Sequence, residues 1–254
     1  MLEIENKILI NRYDQQKFPF EEIFSDHCGS IFGTTEVENL HQYIPNDLKP
    51  GSILKVGEDQ ATYGHSLLYQ IDPAYQQKAK VPKKVCDRGF IKLYQQFITF
   101  LEANIFGENL VYQKLPTLRI HLPNNLSVGE YHRDRNYNHP LEEINIWVPI
   151  TRAKGTATIQ MESAYELQDF HPIEAEYGEY VIFDSALMHG NEVNVENYTR
   201  VSFDFRVIPF SKYRGTDSAS INQNMKFHIG DYYSFNGSTV PNPVDEKLNS
   251  SIFI

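Results

Sequence analysis

The sequence predicts a mainly β fold with flanking helices, built as a sandwich or barrel. Three observations carry the prediction. From residue 111 onward, apolar and polar residues alternate with period two. Turn residues punctuate the alternation at Pro123-Asn124-Asn125, Lys154-Gly155, Tyr177-Gly178 and Val195-Glu196-Asn197. Nothing between the predicted strands is long enough for regular βαβ crossovers, so a parallel α/β fold is excluded.

Residues 1–83 mix short apolar runs with Pro, Gly and Asn, and Lys49-Pro50-Gly51-Ser52 is a turn. Residues 84–105 have helical spacing: Phe90, Ile91, Leu93, Tyr94, Phe97, Ile98, Phe100, Leu101 and Ile105 line one face. Asp87 is placed to cap this helix and Gly107 to end it. Six strands are then predicted over 115–122, 144–150, 156–161, 180–183, 189–195 and 199–208. The tail from Phe210 is polar and irregular but carries Phe227, Tyr232, Tyr233 and Phe235, which suggests that it folds back over the barrel. With no internal repeat, one domain is expected over residues 1–254. It has an N-terminal flank with its helix (1–110), a core (111–210) and a C-terminal extension (211–254).

The 254 residues carry 16 Tyr and 16 Phe, which favour strands and a substantial core. The formal charge of −10 and pI of about 5.4 argue against a nucleic-acid partner and are compatible with a cationic small substrate. Lys78, Lys80, Lys83 and Lys84 read as a solvated loop. Cys28 and Cys86 lack metal-type spacing and fit reduced thiols. Residues 1–20 show no basic-then-apolar leader, and no apolar run approaches the ~18 residues of a membrane span. A soluble cytoplasmic protein is expected; the oligomeric state is left open.

The chemistry starts at His132-Arg133-Asp134, the one His-x-Asp or His-x-Glu in the chain. Residues two apart on extended backbone point the same way, so an imidazole and a carboxylate can grip one metal. His189, beyond the apolar run Tyr180-Val181-Ile182-Phe183, is the candidate third ligand. Two His and one carboxylate leave metal positions open, as non-haem Fe(II) oxygen chemistry requires, whereas structural zinc prefers four ligands. Arg200 follows eleven residues after His189 and opens Arg200-Val201-Ser202-Phe203-Asp204-Phe205-Arg206. Period two puts Arg200, Ser202, Asp204 and Arg206 on one face and Val201, Phe203, Phe205 and Val207 on the other. A guanidinium with a neighbouring hydroxyl suits the far carboxylate of a dicarboxylate co-substrate.

Together these motifs resemble the Fe(II)/2-oxoglutarate-dependent oxygenases. The stretch 116–208 resembles the StrG-type subgroup of streptomycin biosynthesis and, more distantly, the phytanoyl-CoA-type hydroxylases. The resemblance rests on Pro116-Thr117-Leu118-Arg119, Gly129-Glu130-Tyr131-His132-Arg133-Asp134, Asn145-Ile146-Trp147-Val148-Pro149-Ile150, Met161-Glu162-Ser163, Phe183-Asp184-Ser185 through His189-Gly190-Asn191, and Arg200–Arg206. It implies a double-stranded β-helix, the cupin-like jelly roll, with His132, Asp134 and His189 as iron ligands. It also implies Arg200 and Ser202 on 2-oxoglutarate, with O2 as the oxidant. Asn145 and Trp147 share a strand face that either lines the co-substrate pocket or belongs to the core. Arg119 is a second anion contact or half of an ion pair. Arg206 resembles the second arginine of the nucleic-acid demethylase branch, and pairing with Asp204 accounts for it equally well. Glu162 is a weaker substrate candidate, as is His139, and the other histidines read as ordinary polar or core residues.

The expected reaction couples oxidative decarboxylation of 2-oxoglutarate to hydroxylation or related C–H oxidation of a small polar metabolite such as an aminocyclitol, sugar or amino acid. No nucleic-acid or membrane partner is expected. The competing readings are a metal-dependent cupin-like isomerase or hydrolase, which would need no dicarboxylate clamp, and a non-catalytic jelly-roll binding module.

Overall fold

The structure is a computed structural model that describes residues 7–43, 89–124, 126, 130–220 and 225–237. Asp87, Cys86, the lysine-containing loop and the turn at 49–52 lie outside the described residues. None of the described helices is long and apolar enough to cross a membrane.

The described helices are α1 (Phe20–Phe32), α2 (Leu40–Tyr43) and α3 (Phe90–Leu101). In α3, Phe90, Leu93, Tyr94, Phe97, Ile98 and Leu101 are buried, the i, i+3, i+4 stripe expected of a helix lying on a sheet. The helix widens into a π-type turn over Glu102–Phe106 and stops at Gly107. There the backbone takes φ of 69°, a conformation glycine adopts without a Cβ clash.

Among the described residues, ten strands form two antiparallel sheets. The larger sheet contains β1 (Ile8–Arg12), β2 (Leu110–Gln113), β3 (Thr117–His121), β4 (Ile144–Pro149), β7 (Glu179–Asp184), β9 (Arg200–Pro209) and β10 (Tyr233–Phe235). Its order is β1-β7-β4-β9-β2-β10, with β3 paired to the first half of β9. The smaller sheet has the order β6-β5-β8, from β6 (His171–Pro172), β5 (Ile159–Met161) and β8 (His189–Asn191). A bridge between His132 and His189 adds one more rung to it.

Along the chain, β3 lies in the large sheet and the His132 segment in the small one. β4 returns to the large sheet, β5 and β6 to the small. β7, β8 and β9 then alternate. That alternation is the jelly roll implied by the sequence resemblance. The two sheets face one another without closing into a continuous barrel.

All six predicted strands are present; four are shorter than predicted, the 180–183 strand gains a residue at each end, and the 199–208 strand is shifted by one. The 156–161 strand loses its start to a 3-10 turn at Gly155–Ala157, and the 189–195 strand shortens to three residues. Strands β1, β2, β6 and β10 are additions to the sequence reading.

Strand β9 divides the interior. Its Phe203 and Phe205 face the helices, with ring centroids 4.9 Å from Phe20 and 4.9 Å from Tyr94 respectively. Such aromatic pairs add about 0.5–1.5 kcal/mol beyond area burial. The opposite face of β9 looks between the sheets toward Trp147, Ile159 and Phe183. The C-terminal residues pack Phe227, Tyr232 and Tyr233 on Val111 and Ile208, and β10 pairs with β2.

Candidate metal centre

His132 and His189 are brought together by the backbone. Each amide donates to the other's carbonyl, at 2.9 and 3.0 Å, and the ring centroids stand 4.6 Å apart. His132 Nδ1 meets the Glu130 carbonyl at 2.6 Å, and His189 Nδ1 meets that of Leu187 at 3.0 Å. A carbonyl only accepts, so Nδ1 carries the proton in each ring and Nε2 keeps its lone pair. Both Nε2 atoms face one oxygen, Asp134 Oδ1, at 3.5 and 4.0 Å. One ligand atom from each of the three residues lies within 4.8 Å of the others.

Asp134 is 1% exposed and opens a 3-10 turn, Asp134–Tyr137. Its other oxygen, Oδ2, accepts from Asn145 Nδ2 at 2.8 Å and from Arg206 Nε at 3.2 Å. Burial alone would raise its pKa. Arg206, with His132 and His189 beside the carboxylate, outweighs burial and holds it well below the ordinary carboxylate range. Burial, reinforced by the nearby His132, lowers His189 to about 4, so its ring is neutral and fit for coordination near pH 7.

Behind Asp134 runs a chain of alternating charge. Arg206 Nη1 donates to Asp204 Oδ2 at 2.8 Å, and Arg119 donates to both oxygens of Asp204, with Nη2–Oδ2 at 3.3 Å. Burial raises the Asp204 pKa, but Arg119 and Arg206 win and the net shift is downward.

From this centre a partly open cavity runs between the sheets, past Asn145, Trp147, Ile159 and Asn191. Arg200 is 0% exposed at the start of β9 and touches Ser202 Oγ at 3.2 Å, Asn191 Oδ1 at 3.2 Å and His121 Nδ1 at 3.3 Å. Among the described residues no carboxylate lies within ion-pair distance of it, and its Nε has no hydrogen-bond partner. Burial, then repulsion from Arg119, lowers its pKa to about 9. Trp147 Nε1 and Asn145 Oδ1 are likewise buried and, among the described residues, unpartnered.

Several candidates sit differently from their sequence expectation. Asn145 lines the cavity but spends its amide on Asp134. Arg119 is half of an ion pair, the second of its two readings, though its side chain also borders the cavity. Arg206 grips both Asp134 and Asp204. Glu162 does not face the cavity. It is 0% exposed, and its carboxylate accepts from Arg133 at 2.8 Å and from the Met188 amide at 2.7 Å. His139 pairs with buried Glu143 at 2.6 Å.

Sequence reasoning missed Asn191 and His121 beside Arg200. Asn191 stands two residues after His189, and His121 opposes Arg200 in the β3–β9 register. Period two along β8 groups Asn191 with His189, a signal that could have found it.

No family model matches the chain. Over 122 residues it is 44% identical to the streptomycin biosynthesis protein StrG of Streptomyces griseus; the match covers 48% of this chain and 58% of that relative. Solved structures similar to it include CytC3 with Fe(II) and α-ketoglutarate, at 15% identity and a TM-score of 0.40, covering 81% of this chain and 74% of that one. Another is the non-heme α-ketoglutarate-dependent epimerase SnoN from nogalamycin biosynthesis, at 12% identity and a TM-score of 0.41, covering 57% and 72%. Across nearly half its length the chain is thus similar to StrG, and the match spans under two thirds of that relative's own length.

Proposed function

We propose that the chain is an Fe(II)- and 2-oxoglutarate-dependent oxygenase that hydroxylates, or otherwise oxidises a C–H bond of, a small polar metabolite. The observation that carries this reading is a cavity at the triad with a buried arginine behind its wall. At the cavity, His132, Asp134 and His189 present two imidazole nitrogens and a carboxylate oxygen within 4.8 Å. Behind the wall, buried Arg200 bonds the lining residue Asn191 at 3.2 Å and has no carboxylate of its own among the described residues. A dicarboxylate with one end on a metal answers both needs.

In this reading His132 Nε2, Asp134 Oδ1 and His189 Nε2 hold iron. Arg200, with Ser202 beside it, binds the far carboxylate of 2-oxoglutarate. Trp147 Nε1 and Asn145 Oδ1 offer the cavity a donor and an acceptor. Iron, 2-oxoglutarate and O2 supply the oxidation, yielding succinate and CO2, and the protein supplies orientation and exclusion of water. Asn145 and Arg206 hold Asp134 Oδ2, and a second nitrogen of Arg206 reaches Oδ1 at 3.3 Å, so the carboxylate is oriented by its neighbours.

We infer the substrate class from the acidic chain and from the polar side chains Asn145, Asp204 and Arg206 that border the cavity. It is a soluble, hydrogen-bonding molecule such as an aminocyclitol, sugar or amino acid. The test is succinate release with Fe(II) and 2-oxoglutarate across such compounds. Iron-dependent release stimulated by one of these classes is expected. Stimulation by fatty acyl or nucleic-acid substrates alone would overturn the substrate class, and iron-independent release would overturn the enzyme assignment.

A further inference from the structure

The residue between the two ligands of the His-x-Asp motif has a set of contacts that the metal reading leaves unused. Arg133 points away from the cavity, as the alternation at His132 requires. Its Nε donates to the Ala186 carbonyl at 2.9 Å and its Nη2 to Glu162 Oε1 at 2.8 Å. The same Glu162 oxygen accepts from the Met188 amide at 2.7 Å, and the Glu162 amide donates to the Met188 carbonyl at 3.0 Å. Glu162 Oε2 takes the Gln168 amide at 3.3 Å, and the Tyr165 ring covers the guanidinium at 4.9 Å.

These contacts gather three segments at positions adjacent to the ligands. Arg133 is flanked by His132 and Asp134, Met188 precedes His189, and Glu162 follows Met161, which pairs with His189. Among the described residues, the backbone between the ligand segments offers one bridge, at the end of a three-residue strand. A single rung leaves the segments free to slip or splay, so their spacing needs a second tie. The Glu162 carboxylate is fully buried and the Arg133 side chain 14% exposed, so this is a charge-assisted contact largely sheltered from water.

We propose that Arg133 and Glu162 are positioning residues, a clasp that holds the His189 segment at metal-binding distance from His132 and Asp134. This rests on the metal-site reading above, and its test separates the two. Co(II) is titrated into the protein as the probe, with affinity and the visible d–d spectrum as readouts. Apo melting is followed alongside. Arg133→Gln and Glu162→Gln are expected to weaken Co(II) by roughly 10- to 100-fold, as loss of groups that orient metal ligands typically does, and to alter the d–d bands. Arg133→Lys keeps the charge but cannot reach both acceptors, and is expected to recover part of the affinity. It also serves as the deciding variant if either glutamine variant fails to fold. Wild-type affinity and bands in the folded variants, with Co(II) lost in His189→Ala, would overturn the clasp and leave the metal site standing. A wild-type protein that binds no Co(II) would overturn both.

Discussion

The two oxygens of Asp134 are held unequally. Oδ1 faces both imidazoles and accepts from Arg206 Nη2 at 3.3 Å, while Oδ2 accepts from both Asn145 and Arg206 Nε. Removing a group that orients a metal ligand typically costs 10- to 100-fold in metal affinity. Asn145→Ala is therefore expected to lower iron affinity by about that factor, as read by anaerobic Fe(II) titration. Unchanged affinity would place Asn145 in the cavity wall alone. Asp204 is the other hinge of the charge chain, shared by Arg119 and Arg206. Breaking one partner out of a buried ion pair costs about 3–5 kcal/mol, so Asp204→Asn should destabilise the apo protein by that order in urea unfolding.

The pH dependence has a definite sign. Asp134 and Asp204 have folded-state pKa values below the unfolded carboxylate value of about 3.9. Their contribution to stability is complete above that value and is lost as pH falls toward the folded values. Apo stability should drop from about pH 5 downward, and less steeply in Asp204→Asn.

At the scale of elements, β9 separates structure from chemistry by its two faces. Phe205 belongs to the helix-facing side. Phe205→Ala should cost about 3–5 kcal/mol in unfolding experiments while leaving the 2-oxoglutarate affinity of the folded protein unchanged. A large loss of co-substrate affinity in the folded variant would show that the faces are not independent. This division was legible because period two is a local property of extended chain. The α3 stripe was legible for the same reason. Strands β6 and β10 were not, because two or three residues carry no measurable period, and β1 lies in a mixed segment whose strand character comes from its partner β7.

At the scale of the molecule, the sequence also pointed to the residues that meet at the candidate metal centre, since His132 and Asp134 share a short motif and His189 follows a recognisable apolar run. What it could not show is how distant segments share polar groups. Asn145 reaches Asp134 through the register of β4 beside β9, and Glu162 is consumed by Arg133 and Met188 across the smaller sheet. Those bonds depend on tertiary pairing, so Glu162 looked free along the chain although its carboxylate is fully occupied.

The central claim is that the triad holds a metal and Arg200 the far end of a dicarboxylate. It is tested most directly by titrating 2-oxoglutarate at fixed Fe(II) under anaerobic conditions and following the weak visible charge-transfer band of the chelate. The wild type should give a saturable band and His189→Ala none. Losing one partner of a sheltered guanidinium–carboxylate pair costs ~2–5 kcal/mol, so Arg200→Ala should need roughly 30- to 3000-fold more 2-oxoglutarate. Ser202→Ala, which removes one hydrogen bond to a charged group, should lose ~1.5–3 kcal/mol. Arg200→Lys should recover only part of the loss, and iron affinity without 2-oxoglutarate should stay unchanged in all three. No band in the wild type, or an Arg200→Ala protein that titrates like wild type while Arg119→Ala or Arg206→Ala does not, would contradict the account.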